Sequence, residues 1–178
     1  MSLVRRLRTV RVWGRSRDKA RAFVEREASS VECRIEVSET IRDALVGADL
    51  VCTTTSSREP IVQGAWIARG AHINLVGAST AAVREVDDAL VKQSSFFVDY
   101  RPSALSQAGE LLGAMGVDSA NHIRGEIGGV LNGTVPGRTD EFEITVYKSL
   151  GIAAQDLVTA QEVYRRARAA GAGVRAQL

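Results

Sequence analysis

The sequence predicts an α/β fold: a Rossmann-like, doubly wound parallel sheet that lacks its first strand, extended at the C-terminal end by one strand and a long helix. Three features lead there. Strand-like runs alternate with helix-like ones as far as residue 100. The strand-like runs are short, β-branched and mostly apolar on both faces, the pattern of parallel strands covered by helices. Finally, in "GAHINLVGASTAAVREVDD" (70–88) an apolar run opens onto Gly77-Ala78-Ser79 and then turns acidic. Chains are built that way where backbone must come close to a ligand.

"TVRVW" (9–13) is the first strand, followed by a helix over "RDKARAFVEREAS" with Ala20, Phe23 and Val24 as its apolar positions. "VECRIEV" (31–37) is the second strand, and "SETIRDALVGA" a helix capped by Ser38. "DLVCTTT" (49–55) is the third strand and runs into a loop containing Pro60. "AHINLVG" (71–77) is the fourth, "REVDDALVKQ" the helix after it, and "SFFVDY" (95–100) the fifth strand. Beyond Tyr100 the alternation loosens. "RPSALSQAGELLGAMG" reads as a glycine-broken helix and "GEIGGVLNGTVPGRTDE" as a short helix and turn. "FEITVYKSLG" (142–151) is a strand ending in glycine. "IAAQDLVTAQEVYRRARAAG" is a long helix with Ala153, Leu157, Ala160 and Tyr164 on one face.

A chain of 178 residues holds one domain, or one with an appendage. Its 45% apolar and 25% charged residues are ordinary for a globular protein. A net charge of +2 gives no electrostatic argument for nucleic acid. No apolar run is long enough to cross a bilayer, and no signal peptide opens the chain. Cys33 and Cys52 lack metal-ligand spacing, so no metal is expected, and reduced thiols in the cytoplasm are the expectation.

Dinucleotide folds open with a strand running into a Gly-x-Gly-x-x-Gly or -Ala turn, whose glycines let backbone approach a pyrophosphate. Gly171-Ala172-Gly173-Val174-Arg175-Ala176 has the letters but follows a helix, and is coincidence. The reading is therefore that the chain begins just past the fingerprint, with "LVRRLR" (3–8) closing the helix that should follow it. Without that first, central strand, its two neighbours must pair directly or keep unpaired backbone groups. Residues 1–140 are expected to form the partial dinucleotide domain and 141–178 a segment that docks elsewhere.

Gly14-Arg15-Ser16 ends the first strand, where an acidic residue bonds the ribose 2′-hydroxyl of NAD and an arginine suits the 2′-phosphate of NADP. The triplet is expected to bind cofactor, with NADP(H) preferred and NAD(H) the alternative; a surface arginine at a helix start is the plainer reading. Thr53 and Thr55 share a face at the end of the third strand, at the sheet edge where ligands collect. His72 and Asn74 invite a catalytic role, yet their place inside a buried strand fits a hydrogen-bonded structural pair better. His122 has no evident partner, and Gly109-Glu110 no evident role.

Taken in order, "TVRVWGRSRDKARAF", "GADLVCTTTSSREPIV", "WIARGAHINLVGAS", "REVDDAL", "GELL" and "YKSLGIAAQD" resemble the ornithine cyclodeaminase and μ-crystallin family, ketimine reductases above all. The resemblance covers nearly the whole chain. It implies a homodimer in the full-length form, an upstream domain that the C-terminal segment rejoins, and substrate-binding Arg and Lys residues in that upstream part. It places Thr53 and Thr55 against the cofactor, and Val76, Gly77 and Ser79 beside the nicotinamide. Ser149 falls at the cofactor and Leu150 towards the substrate. Cyclodeaminases of the family carry Asp where Ser79 stands, so the resemblance favours a reductase in which Ser79 is the catalytic candidate; a helix cap is the alternative for Ser79. The expected function is the Rossmann portion of an NAD(P)H-dependent oxidoreductase acting on C=N or CH–NH2 groups, a ketimine reductase or amino-acid dehydrogenase, with an imine or amino acid as substrate. This portion alone is expected to be inactive. Ornithine cyclodeaminase and a crystallin-like, non-catalytic ligand-binding protein are the alternatives.

Overall fold

A computed structural model describes residues 1–2, 4–174 and 176. Among these residues seven strands form, all in parallel pairs, and they fall into two sheets. The smaller holds β1 (Thr9–Val12) and β2 (Arg34–Val37), joined by α1 (Arg17–Glu27). The larger holds β3 (Leu50–Thr53), β4 (His72–Leu75), β5 (Ser95–Val98), β6 (Ile123–Glu126) and β7 (Thr145–Lys148), in the spatial order β3-β4-β7-β5-β6. Between the sheets in sequence lies α2 (Ile41–Leu45), opened by a capping box in which Thr40 and Asp43 satisfy each other's backbone N–H groups.

Of the two outcomes open to the strands flanking the expected first strand, the structure takes the second: β1 and β3 do not pair. Residues 4–8 form a turn and irregular, bent chain rather than the close of a helix, and Leu3 lies outside the described residues. β6 forms where the sequence pattern predicts only helix and turn, because "IRGE" offers a single large apolar residue. β7, which lies beyond the expected break at 140/141, is inserted between β4 and β5 in the middle of the sheet. Buried Thr145, Val146 and Lys148 suit that position, which pairs on both sides.

The core lies on one face of the larger sheet. Val51, Ile73, Leu75, Val146, Phe96 and Val98 project there against Leu90 and Val91 of α3 (Asp88–Gln93), Ala104 of α4 (Arg101–Gln107) and Leu111 of α5 (Gly109–Met115). On the opposite face Cys52 is exposed and His72, Asn74 and Tyr147 are half-buried, so the expected helix cover is incomplete there. Two short helices, α6 (Ser119–His122) and α7 (Ile127–Leu131), flank β6. The last helix is α8 (Ala153–Ala170), which has no buried residue and exposes Leu157, Val158, Val163 and Tyr164.

Phe96 is fully enclosed at the middle of this core. Replacing it by alanine is expected to cost about 3–5 kcal/mol, from lost burial and the cavity left behind. Urea unfolding should register this as a lower midpoint with an unchanged slope.

Candidate functional site

Parallel register sets the site. Thr53 pairs with Leu75, and Leu75 with Lys148, so β3, β4 and β7 end at the same level. The turns that follow them, 54–57, 76–79 and 149–151, therefore emerge side by side at the carboxyl edge, where ligands bind in open α/β sheets. Ser149 N–H donates to the carbonyl of Leu75 at 3.0 Å and stitches the last turn to the second.

The first two turns are joined by Val76 and Gly77 N–H groups donating to the Thr53 carbonyl (3.0 and 3.2 Å), and further by Glu85, a fully buried carboxylate. Oε2 accepts from the Thr53 hydroxyl (2.6 Å), Gly77 N–H (3.0 Å) and Ala78 N–H (3.4 Å). Oε1 accepts from Thr55 N–H (2.6 Å) and the Thr55 hydroxyl (2.7 Å). Gly77 is required by this junction, because a Cβ there would overlap the Thr55 backbone and the Glu85 carboxylate. The sequence pattern puts Glu85 on a helix, but that helix begins only at Asp88, capped by Asp87, and residues 79–86 fold back as a loop. Ser79 consequently caps nothing and is exposed.

A second buried layer braces the turns. Glu110 Oε1 accepts from Glu85 N–H at 3.2 Å, and Lys148 Nζ lies 3.4 and 3.3 Å from its two carboxylate oxygens. Among the described residues Glu110 Oε2 has no hydrogen-bond partner beyond that charge contact. Lys148 Nζ also donates to the carbonyl of Ala78, tying β7 to the 76–79 turn. Buried Asp99 accepts from Leu150 N–H and Gly151 N–H, each at 2.6 Å. It thereby holds a turn that needs glycine at Gly151, where φ is +88°. Sequence reasoning misses Glu85, Asp99, Lys148 and the role of Glu110. One signal exists for Lys148: it stands two residues after Val146 in a strand, and so shares the apolar face.

The predicted residues divide into two groups. Thr53, Thr55, Val76, Gly77, Ser79, Ser149 and Leu150 are gathered at the edge of the larger sheet. Both threonine hydroxyls are directed to Glu85, Val76 is 45% exposed, and Leu150 packs against the core. Gly14, Arg15 and Ser16 stand apart, at the end of β1 in the smaller sheet. They line a cavity of about 390 Å³ with Val12, Trp13, Lys19 and Ala20. Ser16 caps α1 by accepting from Lys19 N–H at 3.3 Å. Space at Gly14 is open: a Cβ added there would have the Ser16 carbonyl oxygen as its nearest neighbour, at 3.9 Å. Lys19 adds a second cation that the strand-end pattern does not reveal.

His72 Nδ1 meets the Thr145 hydroxyl at 2.8 Å, and Asn74 donates to Cys52 Sγ at 3.6 Å. Burial lowers the His72 pKa below its ordinary value; a hydrogen bond with Asn74 opposes this, and nearby Arg138 adds to it. Both side chains thus serve the sheet. His122, with no partner evident in the sequence, bonds the Val91 carbonyl through Nε2 at 2.8 Å. Among the described residues no cluster of His, Cys, Asp and Glu could hold a metal, and no helix is long and apolar enough to cross a membrane.

The model of the ornithine cyclodeaminase/mu-crystallin family matches residues 1–171. This chain belongs to that family. It is 43% identical over 155 residues to the ketimine reductase mu-crystallin of Rattus norvegicus, covering 87% of this chain and 46% of the relative. Its fold superimposes on the Δ1-pyrroline-2-carboxylate reductase of Thermococcus litoralis, solved with NADH and L-proline, at a TM-score of 0.91 and 31% identity over 98% of this chain and 55% of that one. It also matches an archaeal alanine dehydrogenase dimer with bound NAD, at a TM-score of 0.86 and 30% identity over 99% and 54%. The chain spans about half the length of the relatives it matches.

Two expectations follow from this geometry. Gly77→Ala should destabilise the fold by about 1–3 kcal/mol, because the Thr55 backbone must give way, and thermal melting reads the loss. Since His72 is held below its unfolded pKa of 6.5, the unfolded chain binds the extra proton. The stability His72 supports is complete above that value and declines as pH falls from there towards its folded pKa. Urea midpoints measured between pH 7.5 and 5 should fall, and His72→Gln should flatten the slope.

Proposed function

We propose that this chain is the nicotinamide-binding portion of an NAD(P)H-dependent oxidoreductase that reduces C=N bonds, a ketimine or cyclic imine being converted to an amino acid. One observation carries the reading. Three turns that the family resemblance associates with the nicotinamide and substrate converge at a single sheet edge, in a chain whose structural relatives hold NADH or NAD. A bound nicotinamide cofactor would supply the hydride; the chain's own contribution is position and proton handling.

In this reading Val76 and Gly77 give the ring a small, close surface. Thr55, half-buried, donates its hydroxyl to Glu85 and accepts from Ser57 N–H at 3.3 Å, which leaves one acceptor lone pair for a carboxamide N–H. Ser149 contacts the cofactor and Leu150 faces the substrate. Ser79, exposed at the same edge, holds a hydroxyl proton where an imine nitrogen requires one, and its lack of a carboxylate argues against cyclodeamination. The residues present fit a dinucleotide at the other end as well. Arg15 and Lys19 put two cations on the cavity beside α1, which suits the 2′-phosphate of NADP(H). The exposed apolar residues of α8 suit burial against the remainder of a full-length protein or a second subunit, as does the dimeric state of the alanine dehydrogenase relative. We expect turnover to require that remaining half.

A titration of NADPH and NADH, followed by cofactor fluorescence, tests the reading. NADPH should bind ahead of NADH, and Arg15→Ala should weaken NADPH about tenfold while sparing NADH. Equal loss of both would remove the NADP preference. Binding of neither would overturn the reading for this chain.

A further inference from the structure

The fully or nearly fully buried ionisable groups of the larger sheet all gather under the three turns: Glu85, Asp99, Glu110 and Lys148. Three are acids and one is a base. The Lys148 ammonium is engaged by Glu110, 3.3 Å away, and by the Ala78 carbonyl. Among the described residues Glu85 touches no cation. It is satisfied only by hydroxyl and amide donors, which come from two separate segments, 53–55 and 77–78.

We propose that Glu85 is a positioning residue for the nicotinamide end of the dinucleotide. It locks the threonine turn to the Val76–Ser79 turn so that they move as one body, and it leaves uncompensated negative charge beneath them. The inference rests on the reading of the edge as a nicotinamide site. The oxidised nicotinamide ring is a cation and the reduced ring is neutral. A buried negative charge therefore favours the oxidised form, and at low local dielectric such a charge acts over several ångströms. Glutamine cannot stand in. Every Glu85 partner is a donor, backbone N–H groups point at both carboxylate oxygens, and either orientation of a carboxamide sets an NH2 against one of them.

The test compares the unsubstituted chain with Glu85→Gln, after circular dichroism has established that both are folded. Amide hydrogen exchange at Thr55 and Ala78, whose N–H groups have only Glu85 as acceptor, is expected to quicken about tenfold or more in the variant, with Ile73 and Val146 unchanged. Unaltered exchange at the turns overturns the proposal, and so does faster exchange throughout the sheet, which marks a merely structural carboxylate. Affinity for the oxidised dinucleotide should fall about threefold or more relative to the reduced one; an unchanged ratio overturns the electrostatic part. Should Glu85→Gln fail to fold, Thr55→Val keeps the charge and removes one donor. Faster exchange at Ala78, which the Thr55 hydroxyl does not touch, then supports the lock, and unchanged exchange refutes it. If the unsubstituted chain binds no dinucleotide, the proposed function fails, and hydrogen exchange alone decides whether the lock exists.

Discussion

The arrangement of this edge depends on one carboxylate accepting five hydrogen bonds in the interior. An ionised side chain without solvent costs several kcal/mol unless its lone pairs are met. At Glu85 they are met by both of the strand ends that the side chain bridges. The cost of burial and the alignment of the turns are thus the same fact: moving either turn strips donors from a charge that has no water to replace them. Around that point the second layer is arranged, with Glu110 receiving the Glu85 amide and Lys148 reaching both Glu110 and the 76–79 turn.

Parallel strands made much of the fold readable. β1 to β5 are short, mostly apolar runs, and each lies inside the segment the pattern marks out. What the pattern could not carry was order. β7 follows β6 in the chain but sits between β4 and β5, and no local feature of "TVYK" encodes a neighbour. β6 is hard to see in the sequence because Gly125 and two charged residues dilute its strand character, while pairing with β5 decides its conformation.

The site was legible at its surface and hidden beneath. Glycine, serine and threonine at strand ends signal backbone exposed to a ligand, and those that follow β3, β4 and β7 do cluster at one edge, while Gly14 and Ser16 stand apart at the end of β1. The charges that hold them were not legible, since Glu85 within "REVDD" has the composition of an ordinary acidic helix start. Its inward turn depends on Thr53, Thr55 and Gly77, eight to thirty-two residues away in sequence. Alternation puts Lys148 on the apolar face of its strand, but what neutralises it there is seen only when its partner, on α5, is placed.

The division of the strands has a consequence for the molecule in bulk. Two sheets have four edges where one seven-stranded sheet would have two. Each edge is a row of N–H and C=O groups with no strand beside it, and such a row is a template on which another extended chain can lay down its backbone. Every copy carries the same rows, so self-association should rise with concentration independently of how well the core is packed. The colloidal behaviour of this chain is thus written in its sheet topology, and an extended peptide capping the free side of β1 or β3 would act on solubility before it acted on anything else.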